Sequence, residues 1–293
     1  MNKEINIKDI KNILGKTFNT NEEDINKVET VGGMTNKNYK VTIKNEDYIL
    51  RIPSISTDKM INRHYEKNNS LIANKLDLDT DVLHFDEESG IKLTKYIKNA
   101  ETITPESAKK KDNMIEIINI LRKLHTSNSQ FINKFDVFKK IEEYETLLKE
   151  ANGNNFKDYK VVKKQVLNLR EILKSIGIEN VPCHNDPVPE NFVKGNSRLY
   201  LIDWEYSGGN DPMWDLAAHS LECGFSEDEE ELFLNLYFNN NIKDKYRKKI
   251  LIYKICQDFL WSIWTNIKEA KGDDFGTYGV DRYNRAKANL NKL

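Results

Sequence analysis

Cysteine is scarce in this chain. The three, Cys183, Cys223 and Cys256, are scattered, and no Cys-x-x-Cys or His-x-x-x-His spacing occurs, so a zinc site built on His184 is discounted. Long apolar runs are missing too: none approaches the 18 or so residues of a spanning helix, and Met1-Asn2-Lys3-Glu4-Ile5-Asn6 lacks the apolar stretch of a signal peptide. A cytoplasmic protein with reduced thiols is expected, without membrane insertion. Nor is there an excess of charge of one sign. The 45 Lys+Arg and 46 Asp+Glu leave a net charge of −1, which points away from nucleic acid and membrane surfaces and toward small-molecule partners. Internal repeats and low-complexity linkers are also lacking.

What is present is enough chain for about two domains of roughly 150 residues each, with 39% hydrophobic residues to fill two cores. The texture changes near residue 96. Before it, an opening helix ends near Gly15, and strands are expected over 27–31, 38–43 and 47–52, the last two joined by a Lys44-Asn45-Glu46 turn. A helix over 57–75 follows, then strands over 82–85 and 91–97 around an acidic turn, with Lys98-Asn99-Ala100-Glu101 as a hinge. From Thr104-Pro105, an N-cap and a Pro at the first helical position, helical periodicity runs through Leu124. It returns across 136–150, 157–175, 226–239 and 243–270. The fold class is α+β, with a small β-rich lobe (1–97) and a larger, mainly helical lobe (98–293).

Phosphoryl transfer needs a carboxylate that orients or deprotonates the acceptor hydroxyl, and oxygen ligands that hold Mg2+ against the phosphates. The stretch Cys183-His184-Asn185-Asp186-Pro187-Val188-Pro189-Glu190-Asn191, followed by Leu201-Ile202-Asp203, offers these: Asp186 as the base, Asn191 and Asp203 as metal ligands. Between the last two, Phe192-Val193-Lys194 and Arg198-Leu199-Tyr200-Leu201-Ile202 read as strands around a three-residue turn, and a hairpin brings its ends together. Each residue alone reads as an ordinary turn former. The combination favours a site.

The pattern His184-Asn185-Asp186 to Asn191, then Ile202-Asp203-Trp204-Glu205-Tyr206, resembles the aminoglycoside phosphotransferase and choline kinase superfamily. Asn185 and the Asp-Trp-Glu-Tyr run are more similar to choline and ethanolamine kinases, and among them to the bacterial Lic-type choline kinases, from Gly32 through Tyr278. The resemblance implies a two-lobed protein-kinase-like fold, ATP as co-substrate, Mg2+ as cofactor, and choline as the phosphoryl acceptor. It also implies that the turn holding Gly33, Thr35 and Asn36 covers the nucleotide phosphates, although this turn lacks Gly-x-Gly-x-x-Gly and alone reads as an ordinary hairpin. Arg51 would meet the phosphates with Glu66 as its partner, where a surface ion pair is the plainer reading. Tyr96 and Ile97 would border the adenine.

A quaternary ammonium donates no conventional hydrogen bond, so ring faces must recognise it, helped by a carboxylate. Trp261 and Trp264 share a helical face. With Phe275, Tyr278 and Tyr283 downstream they supply rings, and Glu222 supplies charge. A buried aromatic pair is the plainer reading, and similarity to choline kinases favours the pocket without choosing between Tyr278 and Tyr283. Asp211 and Asp215 are read as structural, the latter resembling the family's brace for the catalytic loop, and His125 as a packing or bracing residue. The rival readings are a kinase for ethanolamine or an aminoglycoside, and a catalytically silent choline-binding module.

Overall fold

Alternating apolar residues build the first third of the chain around a sheet. The computed structural model describes residues 7–18, 20–32, 36–53, 60–196 and 198–293, so Gly33 and Thr35 lie outside the described residues. Helix α1 (Ile7–Phe18) precedes strands β1 (Ile25–Val31), β2 (Asn36–Ile43) and β3 (Glu46–Pro53), helix α2 (Arg63–Lys75), and strands β4 (Val82–Phe85) and β5 (Lys92–Lys95). The antiparallel order is β1-β2-β3-β5-β4. Tyr39, Val41 and Ile43 alternate inward on β2 and meet Leu50, Ile52 and Leu93, with Ile10 and Leu14 of α1 in the same core. Because of that packing α1 runs past Gly15, where the sequence suggested its end.

Two local expectations shift. The β2–β3 turn is Lys44-Asn45 alone, with φ of 49° and 69°, and Glu46 already pairs with Ile43; this two-residue left-handed turn suits the strand twist. Helix α2 starts at Arg63 rather than 57, because the Asn62 side chain accepts from the Tyr65 amide (3.1 Å) and caps it. Residues 60–62 are not helical, and 57–59 lie outside the described residues.

Past β5 the hinge passes straight into a short strand, β6 (Glu101–Thr102). The helix expected through Leu124 splits into α3 (Pro105–Ala108) and α4 (Lys111–His125). A capping box between Thr104 and Ser107 opens the first turn, and the helix stops at Lys109. Helices α5 (Val137–Glu150) and α6 (Tyr159–Ile176) follow, then β7 (Val181–Cys183), β8 (Phe192–Lys194), β9 (Leu199–Leu201) and β10 (Gly208–Asn210). After them come α7 (Pro212–Glu222), α8 (Glu227–Phe238), α9 (Asp244–Ala270) and α10 (Tyr278–Leu290). Helix α9 is buried on nearly every side, and α5, α6, α7 and α10 pack around it. Ala73, Leu78, Met60 and Ile61 also join this larger core, so it draws on residues before 97.

Candidate active site

Strands β8 and β9 form the expected hairpin, with Phe192 opposite Leu201 and the Gly195 amide donating to the Arg198 carbonyl (2.9 Å). The ladder continues one step outward, from the Ile202 amide to the Asn191 carbonyl (2.9 Å), so Asn191 and Asp203 emerge side by side. The Asn191 side chain donates to the Asp186 carbonyl (2.9 Å), which leaves its oxygen as the group able to ligate a cation. Asp203 has φ 66° and Asn185 φ 67°, a left-handed backbone that non-glycine residues adopt at a cost. The hairpin thus gathers the three polar groups that the sequence singled out.

Asp215, at the start of α7, fixes this loop. Its carboxylate accepts the His184 and Asn185 amides (2.9 and 2.8 Å) and the His125 Nε2–H (3.0 Å), while the Tyr237 hydroxyl lies 2.8 Å from His125 Nδ1. The His184 Nε2–H donates to the Ile202 carbonyl (2.9 Å), and the His219 Nδ1–H to that of Pro187 (2.9 Å). Asp211 caps α7 through the Met213 amide (3.0 Å) and pairs with Lys249. Both aspartates are structural supports, as the sequence suggested.

Charge is concentrated where the two lobes meet. Arg51 and Glu66 form a buried pair rather than a surface one, with Arg51 also 3.4 Å from Asp203 Oδ1 and donating to the Gly90 carbonyl (3.2 Å). Three neighbours were not singled out from sequence for this cleft. Arg63 donates to Glu66 Oε2 (2.7 Å) and lies 3.3 Å from Glu205 Oε2; Lys92 is 3.7 Å from Glu66; Glu205 accepts from the Asn36 side chain (3.2 Å). The local signal was Arg63 three residues before Glu66 on a helix. Burial raises the Glu66 carboxyl, but Arg51, Lys92 and Arg63 outweigh it and bring it down to about 2. Gly90, at φ 69°, is required here, because a Cβ would lie 2.7 Å from Arg63 Nε and 2.8 Å from Pro53 Cγ. Burial, then the charges of Glu222, Asp203 and Glu205, push the Asp186 carboxyl well above the usual range, with Arg282 opposing.

An aromatic row links α9 to its neighbours. Ring centroids are 5.2 Å apart for Tyr206–Trp261, 6.4 Å for Trp261–Trp264, 5.0 Å for Trp264–Phe275 and 6.4 Å for Phe275–Tyr278. The indoles are buried and Tyr278 is 38% exposed. Tyr283 does not continue the row: it stacks on Phe156 (3.9 Å) and donates its hydroxyl to Asp158 (2.9 Å), which ties α10 to the start of α6. Glu222 is not a free charge, since it is paired with Arg282. Burial, Glu222 and Asp186 push the Tyr278 hydroxyl up, against Arg282; burial, Tyr144, Glu205 and Asp186 do the same to Tyr206. Both ends of the row therefore lie within electrostatic reach of Asp186. At the lobe junction the Tyr96 amide donates to the Asp47 carbonyl (3.2 Å), and Ile97 packs against Gly195.

The sequence model of the choline/ethanolamine kinase family matches residues 28–287. The chain belongs to that family. It is similar to Protein LicA of Haemophilus influenzae, 35% identical over 274 residues, covering 90% of this chain and 80% of the relative. Among solved structures, choline kinase LicA from Streptococcus pneumoniae is 41% identical with a TM-score of 0.85, covering 98% of this chain and 99% of that one. A structure of LicA in complex with AMP matches at the same identity and TM-score, over 97% and 98% of the two chains. An aminoglycoside phosphotransferase, 16% identical with a TM-score of 0.66 over 97% and 98% of the chains, shares the protein-kinase-like fold alone.

One buried carboxyl in this kinase gives a stability test. Burial raises Asp79 to about 6 from an ordinary 3.8, with Asp203 adding to the rise and Lys92 and the Thr80 amide opposing. As pH climbs between those values the unfolded chain releases its proton first, so stability falls across the window, by up to about 3 kcal/mol. Asp79→Asn is expected to flatten that slope and to raise Tm at pH 8 by several degrees. Thermal melts against pH check this; an unchanged slope would clear Asp79 of the effect.

Proposed function

We propose that this kinase transfers the γ-phosphoryl group of ATP to the hydroxyl of choline, giving phosphocholine and ADP. One observation carries the choice of acceptor: the row Tyr206, Trp261, Trp264, Phe275 and Tyr278 is continuous, and the charge of Asp186 reaches the tyrosine at each end of it. A trimethylammonium held against ring faces leaves choline's hydroxyl, at the other end of a short chain, next to that carboxylate. Asp186 orients the hydroxyl and takes its proton as the new O–P bond forms and the bond to ADP breaks. Tyr278, rather than Tyr283, is the tyrosine assigned to the pocket.

On the nucleotide side, Arg51 steadied by Glu66 meets the phosphates, and Asn36, which opens β2 and donates to Glu205, stands beside that pair. Tyr96 and Ile97 border the adenine, with the Tyr96 backbone held by its amide's bond to the Asp47 carbonyl. The AMP complex of the similar LicA supports a nucleotide site. The oxygen donors of Asn191 and Asp203 fit a hard divalent cation, and Mg2+ bound there supplies positive charge against the phosphate oxygens. The lobe before residue 98 serves the nucleotide, and the remainder serves catalysis and choline. Among the described residues no helix is long and apolar enough to cross a membrane.

ADP release measured side by side with choline, ethanolamine and kanamycin tests the reading. Choline is expected to give the highest kcat/KM. Preference for either other acceptor would replace it, and no release with any of them would leave a silent choline-binding module.

A further inference from the structure

Arg282 is a buried cation at the edge of a pocket read here as built for a cation. One N–H pairs with Glu222, another reaches Asp258 (3.1 Å), and the guanidinium covers the Tyr278 ring, 4.5 Å from its centroid. Its side chain is 3% exposed and that of Glu222 is 18% exposed. Asp258 has a second partner in Arg285, whose two bonds measure 2.7 and 2.6 Å, so Arg282 is not required to neutralise it. We propose that Arg282 determines specificity, because by engaging Glu222 and a face of Tyr278 it withholds the acceptors a primary ammonium needs and leaves ring faces as the recognising surface.

The difference between the two kinds of cation drives this. A primary ammonium carries three N–H donors and loses their water partners on entering a ring-lined pocket unless oxygen acceptors replace them. A quaternary ammonium has no such donor to lose and is drawn to ring faces. Glu222 is the carboxylate whose charge reaches both Asp186 and Tyr278, so without Arg282 it would offer a primary amine a charged acceptor inside the site. The plainer account is a helix-to-helix ion pair between α7 and α10. Losing such a pair would weaken both substrates alike.

The inference rests on the choline reading, and the test separates the two. Steady-state rates with choline and with ethanolamine, at saturating ATP, are compared for the wild type, Arg282→Met, Arg282→Gln, and Arg282→Met combined with Glu222→Gln. Either single variant is expected to raise the ethanolamine-to-choline ratio of kcat/KM by about tenfold or more, through a lower KM for ethanolamine and with KM for ATP unchanged. Adding Glu222→Gln returns the ratio toward that of the wild type, because the charged acceptor is gone. Arg282→Gln keeps a donor for Asp258 and carries the test if the methionine variant does not fold. A ratio that stays fixed while both substrates weaken together, or a rise that survives Glu222→Gln, would overturn the assignment. A wild type that prefers ethanolamine would instead overturn the choline reading, whatever the variants do.

Discussion

Asp186→Ala is expected to lower turnover on the order of a thousandfold, with the affinity for ATP little changed. The loop that carries this side chain is fixed through its backbone, the His184 and Asn185 amides resting on Asp215 (2.9 and 2.8 Å). Truncating the side chain therefore removes a carboxylate without freeing the loop. The nucleotide side keeps its own charges, since the Arg51–Glu66 pair is buried independently of Asp186. Its pH dependence has a definite sign. Burial, then Glu222, Asp203 and Glu205, hold the Asp186 carboxyl above the usual carboxylate range, so the free enzyme must rise further in pH before the base is ionised. Choline brings a positive charge into the same pocket and favours the ionised form. The acid limb of kcat, which reports the substrate complex, is therefore expected at lower pH than the acid limb of kcat/KM for choline, which reports the free enzyme. Normal turnover in Asp186→Ala would remove the base; coincident limbs would remove the electrostatic coupling to choline.

The parts of the site that were legible in the sequence are those built by short-range rules. Asp186, Asn191 and Asp203 could be grouped because a glycine-containing turn between two apolar triplets makes a hairpin, and a hairpin fixes which ends meet. Helix α9 announced itself by length and periodicity. Helix α10 did not, because its buried face carries Arg282 and Asn289 beside Tyr283 and Ala286, and Arg282 is buried only because Glu222 and Asp258 await it, 60 and 24 residues away. The same blindness hid Arg63, whose partner Glu205 lies 142 residues off. It also left Tyr278 and Tyr283 undecided: five positions apart on a helix, they point to different sides, which discriminates once the helix is known. The start of α3 was legible, since Thr104 and Ser107 stand at the spacing of a capping box, whereas the break before α4 carries no such signal.

Trp264→Ala is expected to raise KM for choline by roughly thirtyfold, the equivalent of about 2 kcal/mol for a desolvated cation against an indole face, while KM for ATP barely moves. The substitution also empties a packed position: Trp264 is buried between Trp261 (6.4 Å) and Phe275 (5.0 Å), so some loss of stability follows from the cavity alone. Two companion variants separate these effects. Trp264→Phe keeps a ring face and gives up the indole N–H, which is buried here without an acceptor, so most of the affinity for choline should survive. Trp264→Leu fills much of the same space with no ring, and should lose affinity nearly as far as alanine does. If leucine and phenylalanine behave alike, the indole acts through volume. If KM for ATP rises in step with KM for choline, the damage has spread through α9 to the loop at Asp186, and the row of rings is core packing with no role in holding the methylated cation.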